Sequence, residues 1–101
     1  MLSITKRKWG YYITLISAAR FKVKILRFYK DASCSKQYHH YRNELWLVLK
    51  GLGKLNTKTL QAGDWHAIHR RRTHQFTALK PSWILEIQYG DKCSEDDIVR
   101  L

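Results

Sequence analysis

The chain has 101 residues, enough to bury one core without disulfide reinforcement, so a single domain over residues 1–101 is expected. With 45% hydrophobic and 13% aromatic residues, one proline and five glycines, its composition excludes a disordered or fibrous chain. Nineteen Lys and Arg against eight Asp and Glu leave a charge of +11, which attracts anions: nucleic acid, acidic membranes or phosphorylated metabolites.

Charge alone does not choose among these partners. The basic residues are scattered over Lys6–Lys8, Lys22, Lys24 and Arg70–Arg72 and form no long basic block, so a solvated surface is expected and nucleic acid is disfavoured. No apolar run approaches the roughly 20 residues of a membrane helix, so no membrane partner is expected. At the N-terminus the charges follow the apolar residues, and no signal-peptide core is present. Cys34 and Cys93 have neither metal-pair spacing nor the density of a secreted scaffold. A reduced, cytoplasmic chain is expected.

In chain order, short β-type runs alternate with turns. Tyr11 to Leu15 is aromatic and β-branched. In Arg20 to Tyr29, Phe21, Val23 and Ile25 alternate with Lys22 and Lys24, and the phase slips at Leu26 and Phe28. That slip predicts a bulge, or a strand buried on both faces in its second half. Lys30 to Ser33 is a turn. Leu45 to Leu49 is continuously apolar and closes at Gly51-Leu52-Gly53, the pattern of a central strand buried on both faces. Short strands are expected at 54–56 and 59–61, with a turn at Ala62-Gly63-Asp64, and longer ones at 73–79 and 83–89. Only Ser94 to Arg100 reads as helical, with Ser94 and Asp97 spaced as a capping box. The fold class is all-β, a sandwich or barrel with a short C-terminal helical turn.

Gln37 and His39 stand two apart in an extended segment and share a face. Glu44 opens the apolar strand, and a carboxylate facing the interior requires a partner. A cation meets that requirement, and His74 can converge from a later strand. Two imidazoles, a carboxylate and an amide oxygen suit one divalent metal ion: zinc, manganese, cobalt or iron.

Gln37-x-His39-x4-Glu44-x6-Gly51 resembles the first cupin motif with glutamine in place of its leading histidine. Gly63 followed eleven residues later by His74 resembles the second. More widely, the chain resembles the C-terminal cupin domain of type II phosphomannose isomerases, which are usually fused to mannose-1-phosphate guanylyltransferases. The match runs through Trp9-Gly10-x-Tyr12, Phe21-Lys22-Val23-Lys24, Gln37-x-His39-His40-x-Arg42-x-Glu44-x-Trp46, Glu86-Ile87-Gln88-x-Gly90 and Glu95 to Arg100. It departs at His69-Arg70-Arg71, where the family has Pro-x-Gly, and at Gln75, Ala78 and Tyr41. Lys30-Asp31 replaces a Pro-Gly turn.

The resemblance implies a double-stranded β-helix, or jelly-roll barrel, with the metal on Gln37, His39, Glu44 and His74. It implies an isomerase interconverting mannose 6-phosphate and fructose 6-phosphate. His40, Lys24 and Tyr41 are the candidate proton-transfer groups, and Arg42, Lys22 and Arg71 the candidates for the phosphate. A cupin acting on another activated sugar, as a nucleotide-sugar isomerase or epimerase, and a non-catalytic metal- or sugar-binding module are the alternatives. The losses at Arg71 and Gln75 favour them. A homodimer is expected, through the apolar face that Leu45, Leu47 and Leu49 offer.

Overall fold

The computed structural model describes residues 2–101, and among them every regular element is a strand. β1 (Ser3–Arg7) and β2 (Gly10–Ser17) form a hairpin; β3 (Phe21–Phe28), β4 (Gln37–Tyr38) and β5 (Arg42–Lys50) follow. Then come β6 (Leu52–Leu55), β7 (Lys58–Gln61), β8 (Trp65–Ile68), β9 (Phe76–Ala78), β10 (Ser82–Gly90) and β11 (Val99–Arg100). A six-stranded sheet in the order β1-β2-β3-β10-β5-β8 faces a three-stranded sheet, β7-β6-β9, and β4 pairs with β11 as a separate ribbon. All the strand pairs are antiparallel. Gly51 carries the chain from one sheet to the other at φ 110°, with the Ser82 and Pro81 backbone so near that a Cβ would overlap it.

The apolar core lies between the sheets, built on Phe28, Trp46, Val48, Leu55, Leu60, Phe76, Ala78 and Ile84. Phe28 stacks on Trp9 (ring centroids 4.2 Å apart) and meets Phe76 edge-on (4.9 Å). Along β3, β5 and β10 the inward residues change character. Phe28 and Leu26 give way to Lys24, Val48 and Trp46 to Glu44 and Arg42, and Ile84 to Glu86 and Gln88. One end of the barrel is therefore apolar and the other polar.

Three expectations are corrected here. β3 has neither the bulge nor the burial on both faces expected from its phase slip: Lys24, Leu26 and Phe28 point inward in one alternation, while Phe21, Val23 and Ile25 face out. The bulge lies in the partner strand, between Thr14 and Ile16 of β2. The apolar alternation misled because the outer sheet face is itself apolar: Val23, Ile87 and Leu45 are cross-strand neighbours, as are Ile25, Leu85 and Leu47. For the same reason β5 is not fully buried on both faces; Glu44, Trp46 and Val48 are buried, Leu45 and Leu47 half-buried, and Leu49 exposed. Finally, Ser94 to Arg100 is no helix. It makes a turn at Glu95-Asp96 and then the strand Val99–Arg100, which pairs with Gln37–Tyr38. Ser94 Oγ bonds Asp96 rather than capping Asp97, and the sheet pairing overrides the local helix signal.

Candidate metal centre

Three elements bring the predicted cage together. His39 follows β4, Glu44 lies on β5, and His74 precedes β9, tied to Gln37 by two backbone hydrogen bonds (Gln37 N to His74 O, 3.0 Å; His74 N to Gln37 O, 2.8 Å). All three side chains are buried, and one ligand atom from each lies within 4.8 Å of the others. His39 Nε2 is 3.1 Å from Glu44 Oε2, and His74 Nε2 is 3.6 Å from Glu44 Oε1.

The tautomers follow from the outer partners. His39 Nδ1 donates to Asp97 O (2.6 Å) and His74 Nδ1 to Arg72 O (3.3 Å), so each Nε2 turns a lone pair toward the Glu44 carboxylate. Burial works to raise the Glu44 pKa, yet the Arg42 guanidinium beside it holds the carboxyl well below the ordinary range. Burial keeps His74 below its ordinary value, the neutral form a metal needs, although Glu44 pulls the other way. Its Nε2 is buried without a hydrogen-bond partner. Arg42 brings positive charge to Glu44 and His39 but not to His74, whose buried acceptor faces the Glu44 carboxylate with no cation between them. The donor set, the tautomers and the orphaned Nε2 fit a divalent ion held by His39, Glu44 and His74.

Gln37 pairs with His74 through its backbone, and its amide Oε1 accepts from Ser35 Oγ (3.0 Å). Arg42 does not reach the barrel mouth as a free cation. Its guanidinium is buried, with Nε on Glu44 Oε2 (3.0 Å), Nη1 on Ser94 O (3.0 Å) and Nη2 3.3 Å from His39 Nε2. Lys24 is inside, but its ammonium is bound to Glu95 (2.7 Å), as is that of Lys22 (2.9 Å). His40 and Tyr41 are exposed, their rings tilted toward one another on the outside (centroids 6.0 Å apart), so the structure does not bring them to the cage. Arg71 is likewise exposed; its backbone donates to His39 O (2.6 Å).

Sequence reasoning missed several supporting groups. Trp46 Nε1 donates to Glu44 Oε1 (2.8 Å), a contact implied by their spacing of two on one strand face. The Asp97 carboxylate accepts the amides of His40 and Tyr41 (2.9 Å each) and so fixes the chain beside His39. Glu86 and Gln88 share the inward face of β10, where alternation with apolar residues was the available signal. A cavity of about 390 Å³ adjoins the cage. Arg42 and Trp46, which both hold Glu44, line it, together with Gln37, Lys24, Glu86 and Gln88.

Residues 2–101 match the family described as mannose-6-phosphate isomerase C-terminal. The chain belongs to that family. The alginate biosynthesis protein AlgA of Pseudomonas aeruginosa is 33% identical over 101 residues, covering 94% of this chain and 21% of AlgA. This chain therefore spans about a fifth of the length of the curated relatives it matches. Among solved structures, a RmlC-like cupin from Shewanella frigidimarina superposes with a TM-score of 0.79 at 17% identity, over 94% of this chain and 87% of that one. Bacillus subtilis oxalate decarboxylase, a protein with Mn(II) centres, gives 0.82 at 14% identity, over 99% of this chain and 30% of that one. At such identities the likeness is one of fold, and the fold is the cupin barrel.

Proposed function

We propose that this family member is a metal-dependent sugar-phosphate isomerase interconverting mannose 6-phosphate and fructose 6-phosphate. The observation that carries the reading is the buried convergence of His39, Glu44 and His74 beside a cavity lined by both polar and apolar groups, in a chain of the mannose-6-phosphate isomerase C-terminal family. A divalent ion held there, of manganese, zinc, cobalt or iron, would supply a Lewis acid for the sugar's hydroxyl and carbonyl oxygens. Gln37 lines the same cavity and is the fourth candidate to hold it. Arg42 is committed to Glu44, so the phosphate falls instead to Arg7, Lys8 and Arg100. These line the cavity, are exposed, and form no ion pair among the described residues.

The competing reading is a binding module without turnover. It draws support from Arg42, which lies on both Glu44 and His39. A coupled assay with mannose 6-phosphate and added manganese, cobalt or zinc decides. Metal-dependent fructose 6-phosphate formation is expected; saturable binding with no turnover under any metal would favour the module.

We take the chain further as a homodimer in the cytoplasm. The apolar outer sheet face around Leu45, Leu47 and the exposed Trp65 supports the first. The second is supported by Cys34 and Cys93, which are free and buried. Sedimentation of Leu47→Glu against the parent chain tests the dimer, with dissociation expected.

A further inference from the structure

The isomerase reading leaves open which group moves the proton: of the three expected for it, His40 and Tyr41 face outward and Lys24 is bound to Glu95. In and beside the cavity the carboxylates are not equivalent. Glu44 is held by Arg42, Trp46 and His39. Glu95 is bridged by Lys22 and Lys24 and accepts from Tyr12 Oη (3.2 Å). Although burial opposes it, those ammonium groups hold the Glu95 carboxyl down at about 2, too weak a base for neutral pH.

Glu86 differs from both. It lines the cavity, is buried, and accepts one neutral hydrogen bond, from Gln88 Nε2 at 2.7 Å. Gln88 is wholly buried, lines the same cavity, and its Oε1 has no hydrogen-bond partner. A buried amide oxygen left without a donor marks a place where a ligand hydroxyl would be stabilised. The cross-strand register sets Glu86 between Lys24 on β3 and Trp46 on β5, and Gln88 beside Glu44. The pair therefore lies along the wall that runs from the cage to the Lys24 ammonium.

Resting on the isomerase reading, we propose that Glu86 carries the carbon-bound proton and that Gln88 positions its carboxyl and accepts a hydroxyl of the sugar. The Glu86 carboxylate takes the proton from C2 of the aldose. The released electron pair forms the C1–C2 double bond, and the former carbonyl pair moves onto O1, which takes the proton of the neighbouring O2 hydroxyl. The pair left on O2 then forms C2=O, and C1 takes the proton from the Glu86 carboxylic acid. The carboxylate ends as it began, and no oxidant is required. Burial first, and the Glu44 charge second, push the Glu86 carboxyl up to about 8 against the pull of Lys24 and Arg42. A base poised near neutral pH is what such a transfer uses best.

The test compares the parent chain with Glu86→Gln and Gln88→Leu in two measurements: manganese-supported turnover, and binding of mannose 6-phosphate to metal-free protein by tryptophan fluorescence. Glu86→Gln is expected to lower kcat by about 10²–10⁴-fold, with KM and metal content close to the parent's. Gln88→Leu is expected to weaken mannose 6-phosphate binding by roughly tenfold, the loss of one buried hydroxyl contact. A Glu86→Gln protein that turns over within about threefold of the parent overturns the proton assignment while leaving the isomerase reading intact. A parent chain without turnover ends the isomerase reading and the proton role together. In that case weakened binding by Gln88→Leu keeps the hydroxyl subsite, and unchanged binding removes it as well.

Discussion

The two ends of the barrel share β3, β5 and β10 but bury opposite kinds of residue. At one end Val48, Leu55, Leu60, Phe76, Ala78 and Ile84 close the interior with apolar side chains. At the other, Lys24, Arg42, Glu44, Glu86 and Gln88 are equally buried, and each costs free energy unless it is paired. The strands that run through both ends let the apolar half hold the polar half in register. Stability is thus generated at one end and used at the other to keep charged groups within bonding distance.

That division can be broken from either side. The largest effect is expected at the polar end. Glu44→Leu strands the Arg42 guanidinium and should cost roughly 3–5 kcal/mol. The double variant Arg42→Met/Glu44→Leu should recover most of that loss, as urea denaturation of metal-free protein would show. If the single and double variants lost equally, the Arg42–Glu44 pair would not be what the polar end depends on.

At the apolar end, Leu55→Ala should cost about 2–5 kcal/mol through the cavity it leaves. Its signature differs: metal content per folded molecule should match the parent's, whereas Glu44→Leu should lose both stability and metal.

A third effect sharpens the contrast through pH. An ordinary glutamate ionises near 4.5, whereas Glu86 holds its proton up to about 8 because of burial and the Glu44 charge. Between those values the folded chain binds a proton the unfolded chain has lost, so this group makes stability fall as pH rises. Lys24 and Arg42 limit the fall but do not reverse it. Glu86→Gln removes it, and its stability relative to the parent should grow steadily from acid to about pH 8. A constant difference across that window would show Glu86 ionised throughout.

The smallest effect concerns the loop that carries His74. Arg71 stands where the family's Pro-x-Gly has its glycine, yet it keeps φ 67°; Asp31, at the former Pro-Gly turn, keeps φ 65°. The left-handed conformation is costly for a side chain such as arginine, so Arg71→Gly should stabilise by up to about 1 kcal/mol, offset in part by glycine's unfolded-state entropy. Thermal melts of the two proteins would register it.

The cage was legible because its residues carry both kinds of signal, metal-ligand chemistry and a spacing that extended backbone turns into a shared face. Glu44 at the head of an apolar strand was informative, since a buried carboxylate demands a partner. The orientation of β3 was not legible. Its outward face, with Phe21, Val23 and Ile25, is as apolar as an inner one, and its inward Lys24 belongs to the polar end. Periodicity records that the faces differ without saying which faces in. The Ser94–Asp97 spacing resembled a helix start, but the Asp97 carboxylate binds the amides of His40 and Tyr41 across the fold. Such long-range bonds leave no local pattern. Arg42 was read as a phosphate ligand, although its spacing of two from Glu44 on one strand face equally allowed its guanidinium to bond that carboxylate.

The chemistry proposed for this chain depends on His39, Glu44 and His74 holding a metal ion together. Metal analysis of purified parent protein, Glu44→Ala and His74→Ala tests it most directly. One divalent ion per parent chain is expected, and its loss from both variants while they remain folded. Equal metal content in all three would contradict it.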